Sequence, residues 1–153
     1  MFTKEEASRI RKQFWTSLGQ YLKPLPNADG EIINWINYRT GVKNIFIRLE
    51  ANAKNAQIYL ELNHADDGLR ALIYEQFLEL KPLFEQAAGK DWEWQAQTQN
   101  TDYKMVARIT ASLKACNIYQ QQSWPQLIQF FKERLLALDA FWCDVKPIFE
   151  ELT

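Results

Sequence analysis

Histidine, glycine and cysteine are scarce in this sequence, with one His, five Gly and two Cys among 153 residues. Each shortage removes a chemistry. With His64 alone there is no multi-His metal site, and a Ser-His-Asp triad would have to run through one position beside Asp66 and Asp67. Asp at the start of a helix already has a sufficient reason to be there, as its cap. Few glycines leave little for a phosphate cradle, and no G-x-x-x-x-G-K-[ST], G-x-G-x-x-G or G-x-S-x-G run occurs. Cys116 and Cys143 lie far apart without CxxC or His spacing, which reads as two free, partly buried thiols rather than a zinc site or a redox pair. No metal, no cofactor and no catalytic residue is expected, and an enzyme is the less expected class.

An excess of one charge is missing too. The 18 basic and 19 acidic residues leave a net charge of −1 and form no basic stripe, so duplex nucleic acid is not an expected partner. No stretch approaches about 18 uninterrupted apolar residues. The opening segment MFTKEEASRIRKQFW carries charges where a signal peptide needs an apolar run, so a cytoplasmic protein without a membrane partner is the expectation.

What is present is an ordinary globular mixture, 47% hydrophobic and 24% charged, with six Trp, six Tyr and nine Phe. The length fits a single domain over 1–153. Thr3 with Glu6 forms a capping box, and Ala7, Ile10, Phe14, Leu18 and Leu22 follow at helical spacing up to Pro24. Three short strands are then predicted: INWINY, NIFIRLEA and AQIYLELN. The last two alternate cleanly, Ile45, Ile47 and Leu49 against Phe46, Arg48 and Glu50, then Ile58, Leu60 and Leu62 against Tyr59, Glu61 and Asn63. Asp66 or Asp67 caps a second helix running to Gly89, with Pro82 placed to kink or restart it. WEWQAQT and YKMVARITASL read as a hairpin around Asn100 to Asp102. Ser123 caps a last helix whose apolar positions extend from Leu127 to Phe149.

The order α-β-β-β-α-β-β-α predicts an α+β fold, a mainly antiparallel five-stranded sheet with helices packed on one face. The other face would present Arg48, Glu50, Tyr59, Glu61, Glu93, Gln95, Gln97, Lys104, Arg108 and Thr110 to solvent or a partner. The order αβββαβ also matches restriction-type nucleases, but Glu61-Leu62-Asn63 carries Asn where their (D/E)-x-K element needs Lys. Arg11, Gln76 and Arg134 fall inside apolar helical stripes, where a long polar side chain must find partners or reach water. The plainer reading is snorkelling or structural pairing. The sharper one is a pocket for a small anionic ligand, lined by Arg11, Trp35, Arg48, Tyr59 and Arg134. The last helix is apolar over nearly half its circumference, so it should lie between the sheet and another helix. Otherwise Phe130, Phe141, Trp142 and Phe149 form a homodimer interface.

The runs KEEASRIRKQFWTSLGQYL, NWINYRTGVKNIFIRLEA, YEQFLEL and WPQLIQFFKERLLALDAFW resemble the bacterial domain-of-unknown-function family numbered 4268, from Lys4 to Glu150. Its signatures match Arg-Lys-Gln-Phe-Trp at 11–15, Asn-Trp-Ile-Asn-Tyr at 34–38 and Ala-Leu-Asp-Ala-Phe-Trp at 137–142. The resemblance implies no established activity. Members joined to nuclease-like regions imply an accessory role near nucleic acid. The element order is also similar to that of small type III secretion chaperones, an analogy of fold alone. Together these features lead to a non-catalytic binding or interaction protein, with a protein partner or a second copy of itself. The anionic-ligand pocket is the alternative, and association with a nucleic-acid system the next.

Overall fold

The computed structural model describes residues 2–152. Helix α1 (Lys4–Leu22) begins where predicted, because the Thr3 hydroxyl accepts the Glu6 N–H at 3.1 Å. Its buried residues Phe14, Leu18 and Leu22 pack towards the last helix, α4 (Trp124–Leu152), with Phe14 and Phe131 ring to ring at 6.2 Å.

The sheet has four strands, not five: β1 (Ile45–Ala51), β2 (Asn55–Leu62), β3 (Glu93–Gln99) and β4 (Met105–Lys114), all antiparallel in the order β1-β2-β4-β3. The missing strand is INWINY. Asn34 Oδ1 accepts the N–H groups of Ile36 and Asn37 at 3.1 and 3.2 Å, an Asx turn that folds the chain back on itself. Trp35 and Tyr38 are both buried; Trp35 Nε1 donates to the Leu25 carbonyl at 2.9 Å and the Tyr38 hydroxyl to Asp139 at 2.5 Å. Residues three apart sharing one side is turn geometry, since a strand would send them to opposite faces.

Asparagines also make both hairpins. Asn52 Oδ1 accepts from Lys54 N and Asn55 N between β1 and β2, and Asn100 Oδ1 accepts from Asp102 N and Lys104 N between β3 and β4. The long second helix divides into α2 (Asp67–Glu79) and α3 (Lys81–Ala88) at Leu80, with Pro82 in the first turn of α3, where its missing N–H costs nothing. Asp66 caps α2, its carboxylate accepting Leu69 N–H at 2.9 Å. A 3₁₀ turn over Gln121–Ser123 leads into α4, and the Ser123 hydroxyl accepts the Asn117 N–H.

Ile47, Ile58, Leu60, Ala107, Ile109 and Trp94 line one face of the sheet and meet α2, α3 and α4. Aromatic rings join the layers: Phe77 of α2 lies 4.2 Å from Phe149 and 6.3 Å from Trp142, and Phe84 of α3 lies 5.1 Å from Phe141 and 5.2 Å from Trp94. Truncating a ring so placed to alanine costs about 3–5 kcal/mol. The breadth of the α4 stripe has its cause here, because the helix touches the sheet on one side and α1, α2 and α3 on others. Phe130, Phe141, Trp142 and Phe149 are buried by this chain itself at 0–8% exposure, and a second subunit is not needed to cover them. No helix of the described residues is long and apolar enough to cross a membrane.

Candidate functional site

The face of the sheet that carries Ile58, Leu60 and Ile109 packs in the core, and the opposite face carries an ordered polar cluster. Period two places Phe46 and Arg48 of β1, Tyr59 and Glu61 of β2, and Arg108 and Thr110 of β4 on that face. In register, Glu61 stands between Phe46 and Arg108, and Tyr59 between Arg48 and Thr110.

This face is not the open one the alternation predicts: Glu61 is only 4% exposed, and Tyr59, Val106 and Thr110 beside it are buried at 2%, 0% and 8%, which leaves Phe46, Arg48 and Arg108 as the accessible side chains around it. Two arginines compensate the charge of Glu61. Arg48 Nε donates to Oε2 at 3.3 Å, and Arg108 donates from Nε and Nη2 to Oε1 at 3.0 and 2.9 Å. A carboxylate taken from water needs this compensation, and the two guanidiniums leave the trio with a net positive charge. Each guanidinium also lies near a ring, Arg48 at 4.6 Å from the Phe46 centroid and Arg108 at 4.4 Å from that of Tyr59. The Tyr59 hydroxyl donates to Glu50 Oε1 at 2.8 Å, and burial first, then this bond to Glu50, pushes its pKa well above the ordinary phenol value. A nuclease-like metal role for Glu61 does not fit, because both its oxygens are engaged by arginines.

At one end of this face is a cavity of about 450 Å³, bounded by the cations Arg48, Arg70 and Lys104, the carboxylates of Glu61, Asp67 and Asp102, and Asn63. Arg70 is buried at 3% exposure, donating to the His64 carbonyl at 2.9 Å and to Asp67 at 2.5 Å. Asn63 Oδ1 is buried without a hydrogen-bond partner among the described residues. Sequence reading names Asn63 only as a polar strand residue and does not reach Arg70, for which the one available signal is Asp67 three residues before it, an ion-pair spacing on a helix.

The five residues expected to share a ligand pocket are distributed over the molecule. Arg48 and Tyr59 are cross-strand partners on the uncovered face. Arg11 donates to the Tyr119 hydroxyl at 2.7 Å. Trp35 is a core residue of the loop before β1. Arg134 forks onto Asp91 at 2.9 and 2.5 Å and lies over the rings of Trp92 and Phe130, an arrangement that holds the Asp91 carboxyl below its ordinary range. Gln76 reaches Glu79 at 3.5 Å.

A second polar cluster lies inside, around Asp139 of α4, which is 2% exposed. It accepts the Tyr38 hydroxyl on Oδ1 and the Ala28 N–H on Oδ2 at 2.7 Å, and so ties the loop before β1 to the helix. Burial, then Asp139, raises the Tyr38 phenol above its ordinary range. Burial, followed by the charges of Asp139 and Asp29, pushes the Cys143 thiol up to about 12, so it stays protonated and is a poor nucleophile at neutral pH. His64 uses Nδ1 to accept the Asp66 N–H at 3.0 Å, a turn contact. Among the described residues no group of three or more His, Cys, Asp or Glu side chains is placed to hold a metal ion.

A family model described as Domain of unknown function (DUF4268) matches residues 10–146. No curated protein and no solved structure matches the chain.

Proposed function

Since the chain belongs to the DUF4268 family, whose function is unknown, its own surface must supply the functional reading, and we propose that it is a non-catalytic binding module acting through the uncovered face of its sheet. One observation carries this reading: Phe46, Arg48 and Arg108 stay accessible on the face away from the core, and are held in place there around the buried side chains of Glu61 and Tyr59. Arginine and aromatic side chains dominate the energetics of protein interfaces, and a guanidinium already held by an ion pair and a ring loses little entropy on binding. Arg48 uses only Nε, and Arg108 only Nε and Nη2, so each keeps donors for a carboxylate or carbonyl of a partner.

The test is affinity capture from an extract of the source organism, with and without nuclease, comparing the unaltered chain with Phe46→Ala/Arg108→Gln and with an α1 control, Arg9→Gln/Lys12→Gln. A protein retained by the first and the control but lost with the face variant is expected. Retention that is indifferent to the face variant contradicts the reading, and retention abolished by nuclease transfers it to a nucleic-acid system.

The cavity beside this face favours a second reading, a small ligand whose carboxylate meets Arg48 and Lys104 and whose donors meet Asp102 and Asn63 Oδ1. In that case a carboxylate metabolite raises the melting temperature, by an amount equivalent to about 2.7 kcal/mol at 100 times its Kd. Arg48→Gln removes the shift and leaves the fold intact.

A further inference from the structure

β1 lies at one edge of the sheet, and its outer side has no neighbouring strand. Which of its backbone groups point outward can be read from the two ends of the ladder. Asn52 N donates to Asn55 O at 2.9 Å and Asn63 N to Asn44 O at 3.1 Å, and the register between β1 and β2 runs without a shift from Ile45↔Leu62 to Ala51↔Ala56. Hydrogen-bonded and non-bonded pairs alternate in an antiparallel ladder, so the even-numbered residues of β1 face β2 with their N–H and C=O groups. The odd-numbered ones turn theirs outward. Ile45 is already closed, its N–H donating to Val42 O and its carbonyl accepting Thr40 Oγ1 at 2.7 Å. The N–H and C=O groups of Ile47, Leu49 and Ala51 have no partner among the described residues.

The other edge, β3, is broken by a register shift between Gln95 and Thr98, one of the devices by which natural sheets block further pairing. β1 has neither shift nor proline. It carries one charge of each sign, Arg48 and Glu50, on the same face.

We propose that β1 pairs antiparallel with β1 of a second copy of this chain, about a two-fold axis at Leu49, so that two sheets join into one. The open groups select this register. With the axis at Leu49, Ile47 lies opposite the partner's Ala51 and Leu49 opposite the partner's Leu49, which uses every open group and makes about six hydrogen bonds. The same register sets Arg48 opposite the partner's Glu50 and Glu50 opposite the partner's Arg48. Moving the axis to Arg48 or to Glu50 keeps the hydrogen-bond parity but sets like charges directly opposite each other, which is destabilising. It also draws in the occupied Ile45 in the first case and leaves Ile47 unpaired in the second. The side chains are free for the contact, because Arg48 engages Glu61 only through Nε and Glu50 accepts from Tyr59 only on Oε1. The closed two-fold leaves no further β1 edge for a third chain, and therefore ends at a dimer. The pairing stands on the strand edge and is independent of what binds the sheet face, where Arg108 stays open.

Sedimentation of the full chain over a concentration series tests it. The expected result is reversible association to twice the 18.1 kDa chain mass. Leu49→Pro removes an outward N–H without touching a bond to β2, and should leave a folded single chain by circular dichroism. Should that proline unfold the strand, a charge exchange still decides. Glu50→Arg and Arg48→Glu should each weaken self-association by about tenfold, and mixing the two variants should restore a one-to-one pair, because each then offers the charges the other lacks. A single-chain mass for the unaltered protein at every concentration overturns the proposal. So does a dimer indifferent to Leu49→Pro and to both charge variants, or a mixture that fails to associate.

Discussion

Arg108 and Glu61 face each other across β4 and β2, and two N–H groups of the guanidinium converge on a single carboxylate oxygen at 3.0 and 2.9 Å. The other oxygen belongs to Arg48. Removing the shared acid therefore strands two cations at once.

Glu61→Ala should lower stability by about 1–2 kcal/mol, less than for a fully buried pair, because the Arg48 side chain is 45% exposed and water screens part of the loss. Denaturant midpoints of the variant and the unaltered chain measure this. An unchanged midpoint would show that the arginines relax into solvent at no cost, and that the cluster is not preorganised.

Asp139 supports the fold from inside. Asp139→Ala leaves the Tyr38 hydroxyl and the Ala28 N–H without their acceptor, and should cost about 3 kcal/mol. The damage should be local to the segment between α1 and β1, so limited proteolysis should cut there first. Cleavage elsewhere would contradict the anchoring role.

Two phenols set the alkaline limit. The pKa values of Tyr38 and Tyr59 are both raised in the folded chain above the ordinary value of 10.0, so the stability they contribute is fully present below pH 10. Above it the unfolded chain loses these protons first, and stability falls by up to about 1.4 kcal/mol per pH unit for each tyrosine until the folded phenols titrate. Melting temperatures between pH 9 and 11 should show the fall, and Tyr59→Phe should make it shallower. A flat profile would exclude the burial of both hydroxyls.

Gly41 has φ at +77°, and a Cβ there would meet the Lys146 side chain at 2.6 Å. The lysine can move aside, whereas the backbone cannot, so Gly41→Ala should cost about 1 kcal/mol, mostly through conformation. Gly41→Asn, which tolerates the left-handed region better, should cost less than a β-branched residue at the same position. The order of their melting temperatures is the check.

β1 was legible in the sequence because its alternation follows burial, Ile45 and Ile47 inside and Phe46 and Arg48 outside; in β2 only the polarity alternates, since Tyr59 and Glu61 are buried along with Ile58 and Leu60. The segment at 33–38 shares their Ile and aromatic residues without their alternation, and its Asn34 bonds to its own backbone while its Trp35 and Tyr38 anchor on Leu25 and Asp139. Those anchors are distant in sequence, and no local pattern announces them. The α4 stripe was visible as too wide, and its cause, contact with both sheet and helices, needed the packing. Of the expected site, Arg48 and Tyr59 meet because strand register is local. Arg11 and Arg134 follow helix periodicity to separate partners, Tyr119 and Asp91, that periodicity cannot identify.

The central claim is that the partner meets the uncovered face of the sheet. A photo-reactive phenylalanine placed at Phe46, 37% exposed on that face, and separately at Leu83, 51% exposed on α3, tests it most directly in extract of the source organism. Covalent capture of one protein from position 46 and none from position 83 is the predicted result. Capture from position 83 alone would place the contact on the helical side and contradict the account.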